Sequence, residues 1–285
     1  MIVVDDGSTD NSLEKVQKFK SSKVQIIEQK NSGVSIARNN GAKAAKYDYI
    51  AFLDADDWWS PTFLEEMKML VADFPEGALY ASSYYRVKNG KNIPARIGVS
   101  KDFMQGYFDY CNAYIVSSCM PVWTGAVVIK KEIYKEMQGF KPQLKLAEDF
   151  DLWLRIALKY KTVLVNKPLA YYNQDVDIRN RAIGKVYPPE TQFAFNTGFL
   201  ADEEKKNREL KQVIDNVRIR VLRSYYVSKE FHHLAKKELK KVDWTKQENN
   251  KAARYVRYPV FYLRIKDAVL SKLSLLKSKI MLYGK

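Results

Sequence analysis

Asp5-Asp6, Asp54-Ala55-Asp56-Asp57 and Glu148-Asp149 are the side chains of this 285-residue chain whose types and spacing best suit chemistry. The first pair follows the β-branched run Ile2-Val3-Val4. The second group follows YIAFL, and the third opens the stretch EDFDLWLRIA. Carboxylates gathered at one place repel one another unless a positive group joins them. A hard divalent cation can do so, because Mg2+ and Mn2+ prefer oxygen ligands. Such ions usually take one or two carboxylates, and a substrate's phosphates complete the shell. Asp-x-Asp on a strand-end loop therefore suggests a nucleotide diphosphate substrate. Each piece alone also has a plainer reading. Asp-x-Asp closes many solvated turns. Asp5-Asp6-Gly7-Ser8 reads equally as a tight turn before a helix capped by Ser8, Thr9 or Asp10. Glu148-Asp149 suits the positive end of a helix dipole.

The surrounding pattern places these groups. Strands are expected at 2–4, 24–28, 49–53 and 78–85, alternating with helices near 11–20, 33–46 and 61–72. That alternation predicts an α/β fold with a doubly wound, mostly parallel sheet. Ligands in such folds gather at the carboxyl ends of the strands, so the first two acidic groups should share one edge. Residues 88–120 read as loops and short elements. PVWTGAVVIKKEIYKEMQGF reads as a strand and then a helix. LAEDFDLWLRIALKY reads as a helix with its acids first and its bases last, and KTVLVN as a further strand. From about residue 190 the pattern is helical, with a break at Pro259. The expected organisation is a domain over 1–190 and a helical, basic extension over 191–285.

The segments VVDDGSTDNS, NSGVSIARNNGAKAA, YIAFLDADDWWSPTFLEEM and GAVVIKKEIYKEMQGF…AEDFDLWLRIA, in that order, resemble the family 2 glycosyltransferases of the GT-A fold. The likeness covers roughly residues 1–175. It implies an inverting, metal-dependent transferase that moves a sugar from a nucleotide sugar, usually UDP-linked, to an acceptor hydroxyl of a glycan or glycolipid. Carried over residue by residue, it implies that Asp6 contacts the uracil and that Asp5 supports that turn. Arg38 would lie beside the nucleotide, Asp54 on the ribose side, and Asp56 on an Mn2+ or Mg2+ ion bridging the diphosphate. Asp149 would be the general base, oriented by Glu148. Some relatives carry a histidine ligand after the region written here YYNQDVDIRNR; this chain has none there. Family members usually begin with one more strand and helix, which would make this chain N-terminally truncated. A rival expectation follows: a non-catalytic remnant that serves only binding or scaffolding. A phosphatase or response-regulator reading is weaker, since no phosphoacceptor signature follows Asp54.

In-line attack on an anomeric carbon needs a base for the hydroxyl proton and a stabiliser for the departing diphosphate. A helix N-terminus favours the ionised carboxylate and so weakens Asp149 as a base, whereas burial opposes that. Of Trp58-Trp59, one should fill core and the other could border the sugar. Trp123 suits a sugar face and a core position equally. His232 and His233 are adjacent on a helix, point apart and read as surface residues.

The net charge of +15 is uneven. Residues 1–202 hold 26 basic and 24 acidic side chains, whereas residues 203–285 hold 22 and 9. The tail is therefore expected to meet something anionic. In 264–283, Ile265, Val269, Leu273, Leu276, Ile280 and Tyr283 share one helical face, with Lys272 and Lys279 on one shoulder and Lys266 and Lys277 on the other. Such a helix lies in an anionic membrane interface through 252–285, or packs on its own domain. No nucleic-acid motif accompanies the charge, so nucleic acid is not an expected partner. Two cysteines, Cys111 and Cys119, indicate buried thiols in a reducing compartment rather than a disulfide framework. With no signal peptide and no spanning run, the expectation is a cytoplasmic protein, peripheral at the membrane's cytoplasmic face.

Overall fold

Apolar β-branched runs set the sheet. A computed structural model of the chain describes residues 1–175, 186–247 and 250–270. Its strands are β1 (Ile2–Asp5), β2 (Gln25–Glu28), β3 (Tyr49–Ala51), β4 (Trp58–Trp59), β5 (Leu79–Lys88), β6 (Lys91–Pro94), β7 (Gln105–Phe108), β8 (Val127–Lys130) and β9 (Thr162–Asn173). Helices α1 (Ser12–Gln17), α2 (Val34–Ala44), α3 (Phe63–Asp73), α4 (Tyr110–Ser117), α5 (Lys131–Glu136) and α6 (Glu148–Ala157) intervene. The chain divides into one compact unit over Met1–Phe193 and another over Ala194–Lys285.

The α/β class expected from the alternation is found. β1 and β2 pair in parallel, from Ile2 opposite Gln25 to Asp5 opposite Glu28. Among the described strands β1 pairs with β2 alone, and the two form a small sheet of their own. The larger sheet runs β3-β8-β5-β9-β4, with β6 on β5 and β7 on β9. β5 and β9 are parallel over nine pairs, from Leu79 opposite Thr162 to Val87 opposite Asn173. β8 runs antiparallel between β3 and β5, so β3 points the same way as β5. The middle strands are buried on both faces, which is why LYASS, VVI and VLV read as unbroken small or apolar runs rather than alternating ones.

Two differences from the sequence reading have local causes. α1 does not start on a Ser8 or Thr9 cap. Ser8 turns back, its backbone N–H and Oγ both donating to the Asp5 carboxylate, and Asp10 Oδ1 instead accepts from Ser12 N at 2.9 Å. The stretch expected to be irregular contains α4, capped by the Asp109 carboxylate, which accepts from Asn112 N. α4 buries Tyr110, Cys111, Ala113 and Tyr114 on a broad face, so no narrow apolar stripe betrays it.

A buried ion cluster fixes the start of α6. Asp151 is fully buried and accepts from Lys141 Nζ at 2.7 Å and Arg155 Nε at 2.8 Å. Arg155 also donates to the carbonyls of Met137 and Gly139. One carboxylate thus ties the loop before α6 to the helix itself. Breaking such a buried network by removing one partner costs about 3–5 kcal/mol.

The second unit is helical, as its sequence pattern predicts, with α7 (Ala201–Lys206), α8 (Arg208–Val227) and α9 (His232–Leu239). Arg218 is its buried hub: Nη1 and Nη2 reach Glu204 at 2.8 and 2.9 Å, and Nη2 reaches Thr197 at 2.7 Å. His233 is exposed as expected. His232 is half-buried instead, its Nδ1 held 2.5 Å from the Tyr226 carbonyl. Of the apolar tail residues, Leu273, Leu276, Ile280 and Tyr283 lie outside the described residues, as do Lys272, Lys277 and Lys279.

Candidate active site

Asp6 organises the first edge of the site. Its Oδ1 accepts from Gln29 Nε2 at 2.7 Å and Ser32 N at 2.8 Å, and its Oδ2 accepts from Gly33 N at 2.9 Å. These bonds pin the loop that leads into α2. Gly7 makes the approach feasible: its φ is +77°, and a Cβ there would sit 2.8 Å from Asn31 N. Asp5, with both oxygens held by Ser8, closes the same turn.

Arg38, on the second turn of α2, joins the other two acidic groups. Its Nη2 donates to both oxygens of Asp54, at 2.8 and 2.9 Å, and its Nη1 donates to Glu148 Oε1 at 2.9 Å. The guanidinium lies 5.2 Å from the Phe140 ring centre. Burial works against the Arg38 charge, yet Asp54 and Glu148 outweigh it and hold the guanidinium above its ordinary range. A positive group does join the carboxylates, and it is supplied by the chain itself.

Asp149 follows Glu148 on the first turn of α6. Thr124 Oγ1 donates to its Oδ2 at 3.2 Å, and Phe150 N donates to its Oδ1 at 2.7 Å. Ala147, just before them, adopts a left-handed φ of 61°. That conformation costs an alanine about 1 kcal/mol, strain held next to the two carboxylates. Burial raises Asp149 from its ordinary value against the opposing pull of Arg38. It also pushes Glu148 up to about 7, with the Asp149 charge adding to the rise and Arg38 resisting it. The two adjacent carboxyls titrate as a pair.

The Asp54–Asp57 loop is anchored by its last member. Asp57 Oδ1 accepts from Asn173 N at 2.7 Å, at the end of β9. Burial pushes Asp57 up to about 7, against that hydrogen bond. β4 then pairs with β9, Trp58 opposite Tyr171 and Trp59 opposite Ala170. Successive residues of a strand face opposite ways, and these two do. Trp59 turns inward, stacks on Phe63 at 4.3 Å and donates from Nε1 to the Gly125 carbonyl at 2.6 Å. Trp58 is 42% exposed and stacks on Tyr171 at 5.3 Å. Trp123 is buried, stacked on Tyr172 at 4.9 Å. Of the two aromatics considered for a sugar, Trp58 is the one with an open face. Asp56 is exposed at the loop's tip. Among the described residues no three His, Cys, Asp or Glu side chains converge as a metal cluster. Cys111 is buried and Cys119 exposed, and no disulfide joins them.

Thr124 is a contributor the sequence did not mark, and Asp57, named with its acidic group, had no separate role assigned. Thr124 stands beside Trp123 with nothing in its spacing to mark it. Asp57 is marked only by being the third acid of its group.

Carboxylates gathered at strand ends and helix starts of an α/β fold lie where such folds bind their ligands. Residues 1–137, a little under half of the chain, match the model of glycosyl transferase family 2. The Escherichia coli glycosyltransferase YibD is 39% identical over 75 residues, 26% of this chain and 22% of YibD. The chain thus spans under a quarter of that relative's length. The E. coli protein WfaP, named UDP-Glc:alpha-D-GlcNAc-diphosphoundecaprenol beta-1,3-glucosyltransferase, is 29% identical over 163 residues, 56% of this chain and 59% of WfaP. Among solved structures, S. aureus TarS 1-349 in complex with UDP-GlcNAc is similar with a TM-score of 0.56 and 16% identity, over 84% of this chain and 60% of that one. At that identity the likeness concerns the fold.

Proposed function

We propose that this chain catalyses inverting transfer of a sugar from a UDP-linked donor to a hydroxyl of a glycan or lipid-linked acceptor in cell-surface polysaccharide synthesis. The observation that carries the reading is the Arg38 bridge, which gathers Asp54 and Glu148 beside Asp149 in a chain that matches this family over residues 1–137. The names of WfaP and of the TarS complex support the donor class. In this reading Asp149 accepts the proton of the attacking hydroxyl. Its pKa, raised by burial, makes it a stronger base than a solvated carboxylate. Glu148, held by Arg38, adds negative charge that keeps the proton on the pair once it has transferred. Thr124 fixes the Asp149 carboxylate toward the incoming hydroxyl.

Asp56 is the loop carboxylate suited to Mn2+ or Mg2+, because Asp54 is bound to Arg38 and Asp57 to the Asn173 N–H. A single exposed carboxylate fits an ion whose other ligands are diphosphate oxygens and water. When bound, such an ion supplies charge stabilisation to the leaving diphosphate. Calorimetric titration of UDP with Mn2+ present should show binding that EDTA and Asp56→Asn each weaken by about tenfold or more. Equal affinity in all three titrations would remove Asp56 and the metal from the reading.

The Trp58 ring supports an acceptor or donor sugar at the rim. Trp58→Ala should raise the KM of one substrate about 3- to 10-fold, as for loss of one stacking contact, with a smaller change in kcat. Steady-state kinetics with each substrate varied in turn checks this, and an unchanged KM for both would place the sugar elsewhere.

A further inference from the structure

The last described helix carries two faces of opposite character. It covers residues 260–270 and starts just past Pro259, which is tolerated at a helix start but not in its interior. Its inner face holds Leu263, 3% exposed, together with Arg264 and Asp267. Arg264 donates from Nε to the Val227 carbonyl at 2.8 Å and from Nη2 to the Ser228 carbonyl at 3.0 Å. Those carbonyls end α8, where helical partners run out and the dipole is negative. Asp267 accepts from Arg223 Nη2 at 2.6 Å and Nη1 at 3.2 Å. At about 100° per residue, these three side chains span roughly one quarter of the helix circumference.

Phe261, Tyr262, Ile265 and Val269 cover the opposite side. They are 68%, 44%, 60% and 50% exposed, and Tyr258, just before the helix, is 47% exposed. An amphipathic helix that packs on its own domain shows the reverse arrangement. Here the roll is fixed by Arg264 and Asp267, so the apolar side cannot turn inward without breaking both polar anchors. Exposed Arg257 and Lys266 flank the apolar stripe. Residues 251–285 hold nine basic side chains and one acidic, Asp267, which is already paired with Arg223.

We infer that this face docks on an anionic lipid surface. Phe261, Ile265 and Val269 enter the headgroup–acyl boundary, while Arg257 and Lys266 extend to lipid phosphates. Charge decides between occupants. A second copy of the chain would bring two strongly basic segments face to face, and these repel; an anionic bilayer attracts the same segment. The contact is peripheral, since among the described residues no helix is long and apolar enough to cross a membrane. The inference stands independently of the transfer reaction, and its test needs no substrate.

The full chain is floated with phosphatidylcholine vesicles, with and without phosphatidylglycerol, at low and high salt. The expected result is binding to the anionic vesicles, weakened by salt. A Phe261→Ser/Ile265→Ser variant should lower that affinity about tenfold or more, with an unchanged circular dichroism spectrum. If that variant does not fold, Arg257→Gln/Lys266→Gln decides, because it leaves the core and the apolar stripe intact. It must lose preference for anionic over neutral vesicles, and an unaltered preference overturns the proposal. Absence of vesicle binding by the wild-type chain overturns it too. So does self-association, read by light scattering, that Phe261→Ser/Ile265→Ser abolishes while vesicle binding is nil.

Discussion

Asp149→Asn should lower turnover about 10³-fold while leaving UDP affinity nearly unchanged, a loss typical of removing a positioned general base. The amide keeps the shape of the carboxylate and can still meet Thr124 and the Phe150 N–H. It cannot take a proton at the reacting oxygen. The pH profile offers a second readout. Burial pushes Glu148 up to about 7 and raises Asp149 as well, with the Asp149 charge adding to the rise at Glu148 and the Asp54 charge to that at Asp149. A base works only when ionised, so wild-type kcat/KM should climb with pH through the neutral range and flatten above it. The residual activity of Asp149→Asn should lack that climb. Transfer assays with and without acceptor, combined with UDP calorimetry, separate a chemical defect from a folding defect. Residual turnover within tenfold of wild type would remove Asp149 as the base.

The acidic groups and their places at strand ends and helix starts were legible in the sequence because local pattern sets both. A β-branched run followed by Asp-Asp-Gly announces a strand and its turn whatever lies around it. What joins the groups was not legible. Arg38 meets Asp54 across 16 positions and Glu148 across 110, so no spacing rule connects them. Among the groups that could offset the charge of Asp54 and Glu148, α2 carries a guanidinium to both. Strand alternation predicted that Trp58 and Trp59 face opposite ways. Which one turns inward depends on the pairing of β4 with β9, a contact more than 100 positions long. The burial that raises Asp149 was likewise not readable from the local sequence, because elements distant in the chain enclose it. In the tail, the apolar spacing was visible, but the roll of the helix is set by Arg264 and Asp267, two polar residues in a pattern read for its apolar ones.

Arg38→Met should lower folding stability by about 3–5 kcal/mol at about pH 8, and by much less at about pH 5. Methionine restores most of the volume but none of the charge, so Asp54 and Glu148 lose their shared partner. The pH dependence follows from the direction of the shifts. A carboxyl whose pKa is higher in the folded chain favours folding while protonated, and that contribution is lost as pH rises through the folded value. For Glu148 the window runs from the ordinary 4.5 to about 7. Arg38 lowers the affinity of both Glu148 and Asp149 for protons, so its removal widens the window upward and deepens the loss above it. At acid pH, Glu148 is neutral in both chains and the difference shrinks toward the share of Asp54. Its side chain is 34% exposed, so solvent screens much of that pair. Urea denaturation of both chains across this range is the measurement. Equal losses at both ends would trace the effect to the packing of Arg38 against Phe140, and would deny the guanidinium its role as the charge that holds the acidic site together.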